Sequence, residues 1–141
     1  MMQPTNLMAV IVAAAAAWIF GAIYYGLLGK AWLAAQGETP ETMRARNAGK
    51  AGVAKAAPFV ISFIAELVMA TALQGILFHS AMSGVRQGAI SGALIWLGFV
   101  LTTIAVNNAY PGRRFLLTVI DAGHWLGVLV VIGAIIGWWG R

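Results

Sequence analysis

Three titratable side chains lie inside apolar segments of this sequence. Asp121 and His124 are three residues apart in LTVIDAGHWLGVLV, and Glu66 lies in FVISFIAELVMA. Residues three apart share one face of a helix, so an acid and an imidazole at this spacing could hold and pass a proton. Acids inside hydrocarbon-spanning segments commonly mark ion or proton pathways. The pattern therefore indicates proton chemistry in an apolar environment.

The composition is that of a membrane protein. Of the 141 residues, 61% are hydrophobic and 9% charged, and the mean hydropathy is +0.85. Soluble domains have roughly 45–50% apolar and about 25% charged residues. The basic residues lie in short gaps between apolar runs, where membrane topology explains them, so the high pI does not indicate nucleic-acid binding. The absence of cysteine excludes disulfide and thiol chemistry.

Four apolar stretches are long enough to cross a bilayer as helices, since each holds roughly 20 residues or more. They cover about 7–28, 59–79, 88–109 and 115–139. The sequence therefore predicts an all-α fold, a transmembrane bundle of four helices, forming a single membrane domain over residues 1–141.

The distribution of basic residues predicts the orientation. Seven of the nine lie in the first and third connections, and only Arg86 and Arg141 lie on the other side. The positive-inside rule then places these two connections in the cytoplasm and both termini outside it. The seven are Lys30, Arg44, Arg46, Lys50, Lys55, Arg113 and Arg114.

The first connection contains a helix-start signature. Thr39 is a suitable N-cap, Pro40 suits the first helical position, and Glu41 places an acid in the first turn. We expect a short basic cytoplasmic surface helix over Pro40–Lys55. Its mostly alanine apolar face favours a solvated connector, with contact to anionic lipid or a partner as the alternative.

Counting residues from the predicted cytoplasmic ends places the two acids at one depth. Glu66 is eight residues past Pro58 and Asp121 is eight past Arg113, which at 1.5 Å per residue gives about 12 Å for both. His124 follows one turn deeper. The sequence therefore predicts a shared polar layer in the cytoplasmic half of the bundle, formed by Glu66, Gln74, Thr102, Thr103, Asp121 and His124.

Three interpretations of this layer stay open. It holds protonation sites, with Glu66 and Asp121 as acids and His124 as relay; or it is a hydrogen-bonded clamp between helices; or, least favoured, it ligates a metal. Di-metal bundles use more carboxylates than this chain offers, so we expect no metal. Three tryptophans deep in the spans are either core packing or the lining of a substrate cavity: Trp18, Trp96 and Trp125.

Glycines at four-residue spacing predict close helix packing in lipid. One set lies at the start of the third span and the others in the fourth: Gly84, Gly88 and Gly92, then Gly123 and Gly127, then Gly133 and Gly137. Such faces serve either packing within the chain or self-association.

Several segments together resemble one family. WIFGAIYYGLLGKAW, then WLGF followed by an Asn-Asn pair and a basic turn, and the closing GAIIGWW are similar to the bacterial membrane family called domain of unknown function 1761. The family more often carries Asn at the position of Asp121. The resemblance implies a small polytopic protein of the bacterial inner membrane, without an assigned activity.

These patterns favour a proton-coupled transporter of a small molecule or ion. The alternative is a non-catalytic accessory subunit that packs by its glycine-rich faces in a homo-oligomer or a larger membrane complex. Motifs for nucleophilic catalysis, phosphate binding or zinc are missing, so we expect neither an enzyme nor a cofactor. The expected surroundings are the lipid bilayer and a membrane partner or second copy, with no nucleic acid.

Overall fold

The computed structural model describes residues 5–139, so Arg141, used above to predict the orientation, lies outside the described residues. This part of the chain is helical and contains no strand. Four helices are long and apolar enough to cross a membrane, and we call them the first to fourth spans. They are Leu7–Ala35 (α1), Val53–His79 (α3), Val85–Ala109 and Phe115–Trp139 (α6).

The first two spans are longer than expected. The Asn6 side chain caps α1 by accepting from the backbone N–H of Ala9, and the helix continues to Ala35 rather than ending near Leu28. The second span begins at Val53 and not at Phe59, so Pro58 lies inside the helix. Proline forfeits one backbone hydrogen bond and crowds the preceding turn, but here it lies near the start of the helix rather than at its boundary.

The third span contains a π-helical segment. It is α-helical over Val85–Ile95 (α4), π-helical over Trp96–Leu101, and α-helical again over Thr102–Ala109 (α5). π-Helical turns are rare and often occur at functional sites. The segment ends where the hydroxyls of Thr102 and Thr103 donate to carbonyls of the preceding turn.

A short helix, Pro40–Asn47 (α2), is present in the first connection. Thr39 and Thr42 form a reciprocal capping box, with the Thr39 hydroxyl accepting from the Thr42 backbone and the Thr42 hydroxyl from the Thr39 backbone. The expected end at Lys55 is wrong, because α2 stops at Asn47 and Lys55 belongs to α3. The position of α2 on the cytoplasmic membrane surface stays a prediction.

The fourth span is the central element. α1 and α3 pack against α6 and against each other, whereas the third span contacts chiefly α6. The core between α1, α3 and α6 consists of Val10, Ala13, Ala17, Ala70, Leu73, Leu77, Val128, Ile132 and Ile136. The residues of the predicted polar layer are therefore divided between two groups of helices. Three helices, α1, α3 and α6, pack against one another, and the third span lies on another face of α6.

Candidate functional site

Asp121 accepts hydrogen bonds from two side chains of α1. The Tyr25 hydroxyl donates to Asp121 Oδ1 over 2.8 Å, and the Trp32 indole N–H donates to the same oxygen over 3.0 Å. Tyr25 and Trp32 are seven residues apart, which is two helical turns, so both side chains face α6. The carboxylate therefore joins the C-terminal half of α1 to the fourth span.

The backbone beside Asp121 receives further donors. The Tyr24 hydroxyl donates to the carbonyl of Ile120 over 2.8 Å, and the Trp96 indole donates to the carbonyl of Ala122 over 2.7 Å. Tyr24 belongs to α1, whereas Trp96 begins the π-helical segment of the third span. Residues 120–122 of α6 therefore accept hydrogen bonds from side chains of both α1 and the third span.

His124 lies in an aromatic pocket between α1 and α6. Its ring is 6% exposed and packs against the rings of Phe20, Tyr24, Tyr25 and Trp125, with centroid distances of 4.8–6.3 Å. A Cβ placed on Gly21 would lie 2.7 Å from His124 Nε2, so glycine is the residue that leaves room for the imidazole. The Nδ1 atom of His124 is buried and has no hydrogen-bond partner among residues 5–139.

Glu66 is the most completely buried ionisable side chain of the site, at 1% exposure. Its Oε2 has no hydrogen-bond donor within the described part of the chain. Four residues before it, Ser62 accepts from the Trp18 indole, and eight residues after it, the Gln74 amide donates to the Asn6 carbonyl. Ser62, Glu66 and Gln74 thus form a polar stripe along α3, and both ends of this stripe are bonded to α1.

Gln74, like Glu66, has a buried side-chain oxygen without a hydrogen-bond donor. Its side chain is 7% exposed, and its Oε1 also has no donor within residues 5–139. The opposing surface of α1 is a run of alanines that are fully buried, Ala13, Ala14 and Ala17. Two oxygen acceptors therefore lie against an interface that offers no side-chain donor between Asn6 and Trp18.

The prediction that Glu66 and Asp121 share one level is wrong. The Leu73 side chain lies 3.3 Å from the Cβ position of Gly133. Leu73 is only seven residues beyond Glu66, whereas Gly133 is twelve beyond Asp121. On parallel helices this offset places Glu66 at least about 7 Å farther than Asp121 from the first and third connections. The depth count failed because Pro58 does not mark the start of the helix.

The α1 contacts separate the two acids further. Trp18 bonds Ser62 and Asn6 bonds Gln74, so Glu66 faces the alanine segment about one helical turn from Trp18 and two turns from Asn6. Tyr25, the partner of Asp121, lies about three helical turns farther along α1. Glu66, Asp121 and His124 accordingly form no group suited to hold a metal ion, and no such group of three occurs within residues 5–139.

Thr102 and Thr103 do not belong to a buried polar layer. Both side chains are exposed on the outer face of the third span. Their hydroxyls donate to the carbonyls of Gly98 and Phe99 in the same helix. A threonine that bonds its own preceding turn satisfies its hydroxyl without a neighbouring helix, which explains this outward orientation.

The three deep tryptophans have packing contacts. Trp18 donates to Ser62 and to the Phe59 carbonyl at the α1–α3 interface, and Trp96 donates to α6 as described. Trp125 packs against the core and edge-on to His124. These contacts favour the core-packing interpretation over a substrate cavity.

The glycines pack helices within the chain. A Cβ on Gly88 would lie 1.8 Å from the Gly133 carbonyl oxygen, and one on Gly92 would lie 2.2 Å from the Leu129 carbonyl oxygen. The backbone N–H of Gly84 donates to the carbonyl of Gly137 over 2.7 Å. The third span thus approaches the fourth backbone to backbone.

The remaining two glycines of the fourth span serve α1. Gly123 accommodates the Tyr24 hydroxyl and Gly127 accommodates the Phe20 ring, with Cβ distances of 2.7 and 2.2 Å. All seven predicted glycines are therefore accounted for by contacts inside the chain or, for Gly84, by a left-handed backbone at the start of α4.

Sequence reasoning did not identify Tyr24, Tyr25 and Trp32 as the donors to residues 120 and 121. Their spacing could have indicated this role. Tyr25 and Trp32 both carry a hydrogen-bond donor, and residues seven apart lie on one face of a helix, from which both can reach an acid on a neighbouring span. These donors and Gly21 all belong to the first-span segment WIFGAIYYGLLGKAW. The residues that carry the family resemblance are hence those that contact Asp121 and His124.

Comparisons with known proteins give one match. The family described as "Protein of unknown function (DUF1761)" matches residues 8–137. Searches of curated proteins and of solved structures found no match. Since the match covers nearly the whole chain, from the first span to the end of the fourth, this protein belongs to the DUF1761 family.

Proposed function

We propose that this protein is a proton-coupled membrane transporter of a small molecule or ion, and that Glu66 is its proton-binding residue. The observation that carries the proposal is the environment of Glu66, whose carboxyl is buried with Oε2 lacking any donor among residues 5–139. The substrate class is left to the assay below.

The physical argument rests on the cost of an isolated charge. A carboxylate in hydrocarbon costs roughly 2.5–3.5 kcal/mol on insertion scales. A buried charge without a partner is neutralised instead. Binding a proton at Glu66 removes the charge, and releasing it requires that water or a cation reach the α1–α3 interface. Proton binding at Glu66 is therefore linked to how closely α1 packs on α3.

The α1–α3 interface is suited to such opening. The alanine run of α1 presents a smooth surface to Glu66, and alanine side chains contribute van der Waals contact but no hydrogen bond to the packing of helices in lipid. The hydrogen bonds across this interface lie near the two ends of the stripe, at Ser62 and Gln74. Between them, separation of the helices breaks no side-chain hydrogen bond of the described residues.

Asp121 and His124 are assigned to positioning in this proposal. Asp121 already accepts two hydrogen bonds from α1, and its helix is tied to the third span at the next residue. This contact network keeps α1, α6 and the third span in register while the α1–α3 interface changes. It supports the clamp interpretation for Asp121, and Glu66 alone for proton binding.

Proteoliposomes test the proposal. Purified protein would be reconstituted with a pH-sensitive dye inside, and a panel of inorganic cations, organic cations and neutral solutes would be added outside. We expect solute-dependent proton movement with the wild type and with Glu41→Gln, an exposed glutamate of α2 that serves as control. Glu66→Gln should abolish it. Unchanged flux in Glu66→Gln contradicts the proposal, and so does the absence of proton movement with every solute.

Carbodiimide labelling provides a second test that needs no substrate. Hydrophobic carbodiimides react with protonated carboxyls in apolar surroundings, so we expect mass-spectrometric modification of Glu66 that declines as pH rises. Asp121, which accepts two hydrogen bonds, should label less than Glu66. Preferential labelling of Asp121 would reverse the roles assigned to the two acids.

The orientation belongs to the same proposal. We place the first and third connections in the cytoplasm and both termini outside, in the inner membrane of a bacterium. The seven basic residues in these connections and in the adjoining helix ends support that placement. The sequence has no cysteine, so single cysteines at Ala48 and Ser83 can be labelled from one side at a time. Labelling of Ala48 from outside would invert the topology.

The alternative is an accessory subunit without enzymatic activity. The surface first suggested for its assembly, the glycine faces, is occupied by contacts between the third and fourth spans and between α1 and α6. A subunit role would use the exposed apolar face of the third span, where Phe99 is 72% exposed. Copurification of a stoichiometric membrane partner in mild detergent, together with inactive proteoliposomes, would favour this alternative.

A further inference from the structure

A depression lies where the end of α1 meets the third connection and the start of α6. Its volume is about 390 Å³. The C-terminal end of α1 forms one wall, and the third connection with the first turn of α6 forms the other. The lining residues are Ala35, Gln36, Gly37, Pro111, Gly112, Arg113, Arg114 and Leu117.

The lining is basic. It includes two arginines and no acidic residue. The Arg114 guanidinium donates from Nη1 to the carbonyl of Ala34 over 2.8 Å, which holds it across the depression. Glu38, in the adjoining part of the first connection, does not line the depression, and one of its carboxylate oxygens is paired with Arg46. The charge in the depression therefore favours an anion.

Two neutral features add to this preference. The Gln36 side chain lines the depression, and its Nε2 has no acceptor among residues 5–139. The 25-residue helix α6 begins at Phe115, immediately after Arg114. The first N–H groups of a helix lack intrahelical partners and favour negative charge. Arginine guanidinium and N–H donors together suit phosphate oxygens.

The rim of the depression is apolar and aromatic. Phe115 is 79% exposed, Leu116 is 50% exposed, and Tyr110 is 90% exposed. Aromatic residues at the end of a spanning helix occupy the headgroup level of a bilayer. Basic residues at this level attract anionic lipid, and basic pockets between spanning helices bind anionic headgroups.

We propose that this depression binds a phosphate group, carried by the headgroup of an anionic phospholipid, with Arg113 and Arg114 as the charged ligands. The exposed Phe115 and Leu116 contact the acyl chains of that lipid. Free inorganic phosphate offers the same oxygens without the chains, so the experiment includes it as a separate arm.

Lipid retention in native mass spectrometry tests this site. The protein in detergent would be titrated with phosphatidylglycerol and, in parallel, with zwitterionic phosphatidylcholine. We expect preferential binding of phosphatidylglycerol by the wild type and about fivefold weaker binding by Arg113→Gln, from about 1 kcal/mol per basic residue. Arg86→Gln removes an equal charge at the opposite end of the molecule and should leave the affinity unchanged.

The remaining arms identify the ligand and exclude misfolding. Arg113 is chosen because Arg114 also bonds α1, and circular dichroism should give the same helical content for Arg113→Gln as for the wild type. Displacement of the lipid by millimolar inorganic phosphate assigns the site to phosphate itself, whereas no displacement assigns it to the lipid. Equal retention of both lipids, or equal losses in Arg113→Gln and Arg86→Gln, overturns the proposal.

Discussion

Substitution of Gly88 by alanine should separate the third span from the fourth. The new Cβ would lie 1.8 Å from the carbonyl oxygen of Gly133 and 2.6 Å from its carbon. Ordinary contact needs about 3.5 Å, so the two backbones must move apart by roughly 1.7 Å. The obstructing atoms belong to the backbone, so a rotamer change cannot relieve the clash. Gly98→Ala in the same span is the control, because nothing lies within 4 Å of its Cβ position.

The expected loss for Gly88→Ala is about 2 kcal/mol of unfolding free energy. Overpacking costs typically 1–3 kcal/mol, and the gain in helix propensity from glycine to alanine offsets roughly 0.5–1 kcal/mol. Gly98→Ala should gain this propensity term alone or be neutral. Unfolding in mixed detergent micelles containing increasing sodium dodecyl sulfate, followed by circular dichroism, measures both. Equal stability of the two variants would refute the backbone-to-backbone contact.

The same unfolding assay checks three changes around α6. Tyr25→Phe removes one of two donors to Asp121 and should cost about 1 kcal/mol; no loss would mean that this bond contributes nothing. Asp121→Asn keeps an oxygen that can accept from both donors, so it should lower the unfolding free energy less than Asp121→Leu does. The leucine variant leaves both donors without an acceptor and should cost about 2–4 kcal/mol. A greater loss for Asp121→Asn would contradict the role of Asp121 as a hydrogen-bonded clamp. Gly127→Ala should cost roughly 1–3 kcal/mol by displacing the Phe20 ring, and full stability would show that the ring moves freely.

The four spans were predictable because a bilayer imposes a length of apolar sequence that no other constraint mimics. The ends of the spans were not predictable, because a helix terminus depends on local capping and on whether the helix can accommodate a proline near its start. Pro58 resembled a boundary, yet α3 begins at Val53. The π-helical segment Trp96–Leu101 left no recognisable pattern in the sequence, since it keeps the apolar composition of its neighbours.

The candidate site was predictable in residue type but not in arrangement. Intramembrane acids and small-residue spacing are visible in one dimension, and Glu66, His124 and the glycines are indeed buried or closely packed. Which helices face each other is decided by side chains from distant segments. The aromatic donors of α1 and the carboxylate of Asp121 are 89 and 96 residues apart, so their pairing follows from the packing of α1 on α6.

The separation of the two acids assigns them different physical tasks. Asp121 has two donors on one oxygen, and these hydrogen bonds offset part of the loss of water around its carboxyl group. The Oε2 atom of Glu66 has no donor within residues 5–139, and in the function proposed above its charge state is coupled to the packing of α1 against α3. If Asp121 holds the C-terminal half of α1 on α6 while Glu66 faces the N-terminal half, then binding of a proton at Glu66 changes only the α1–α3 interface. Cross-linking of paired cysteines at Val10 and Ala70, which belong to one buried cluster, should then become faster when Glu66 is replaced by glutamine, and an equal rate would refute this coupling.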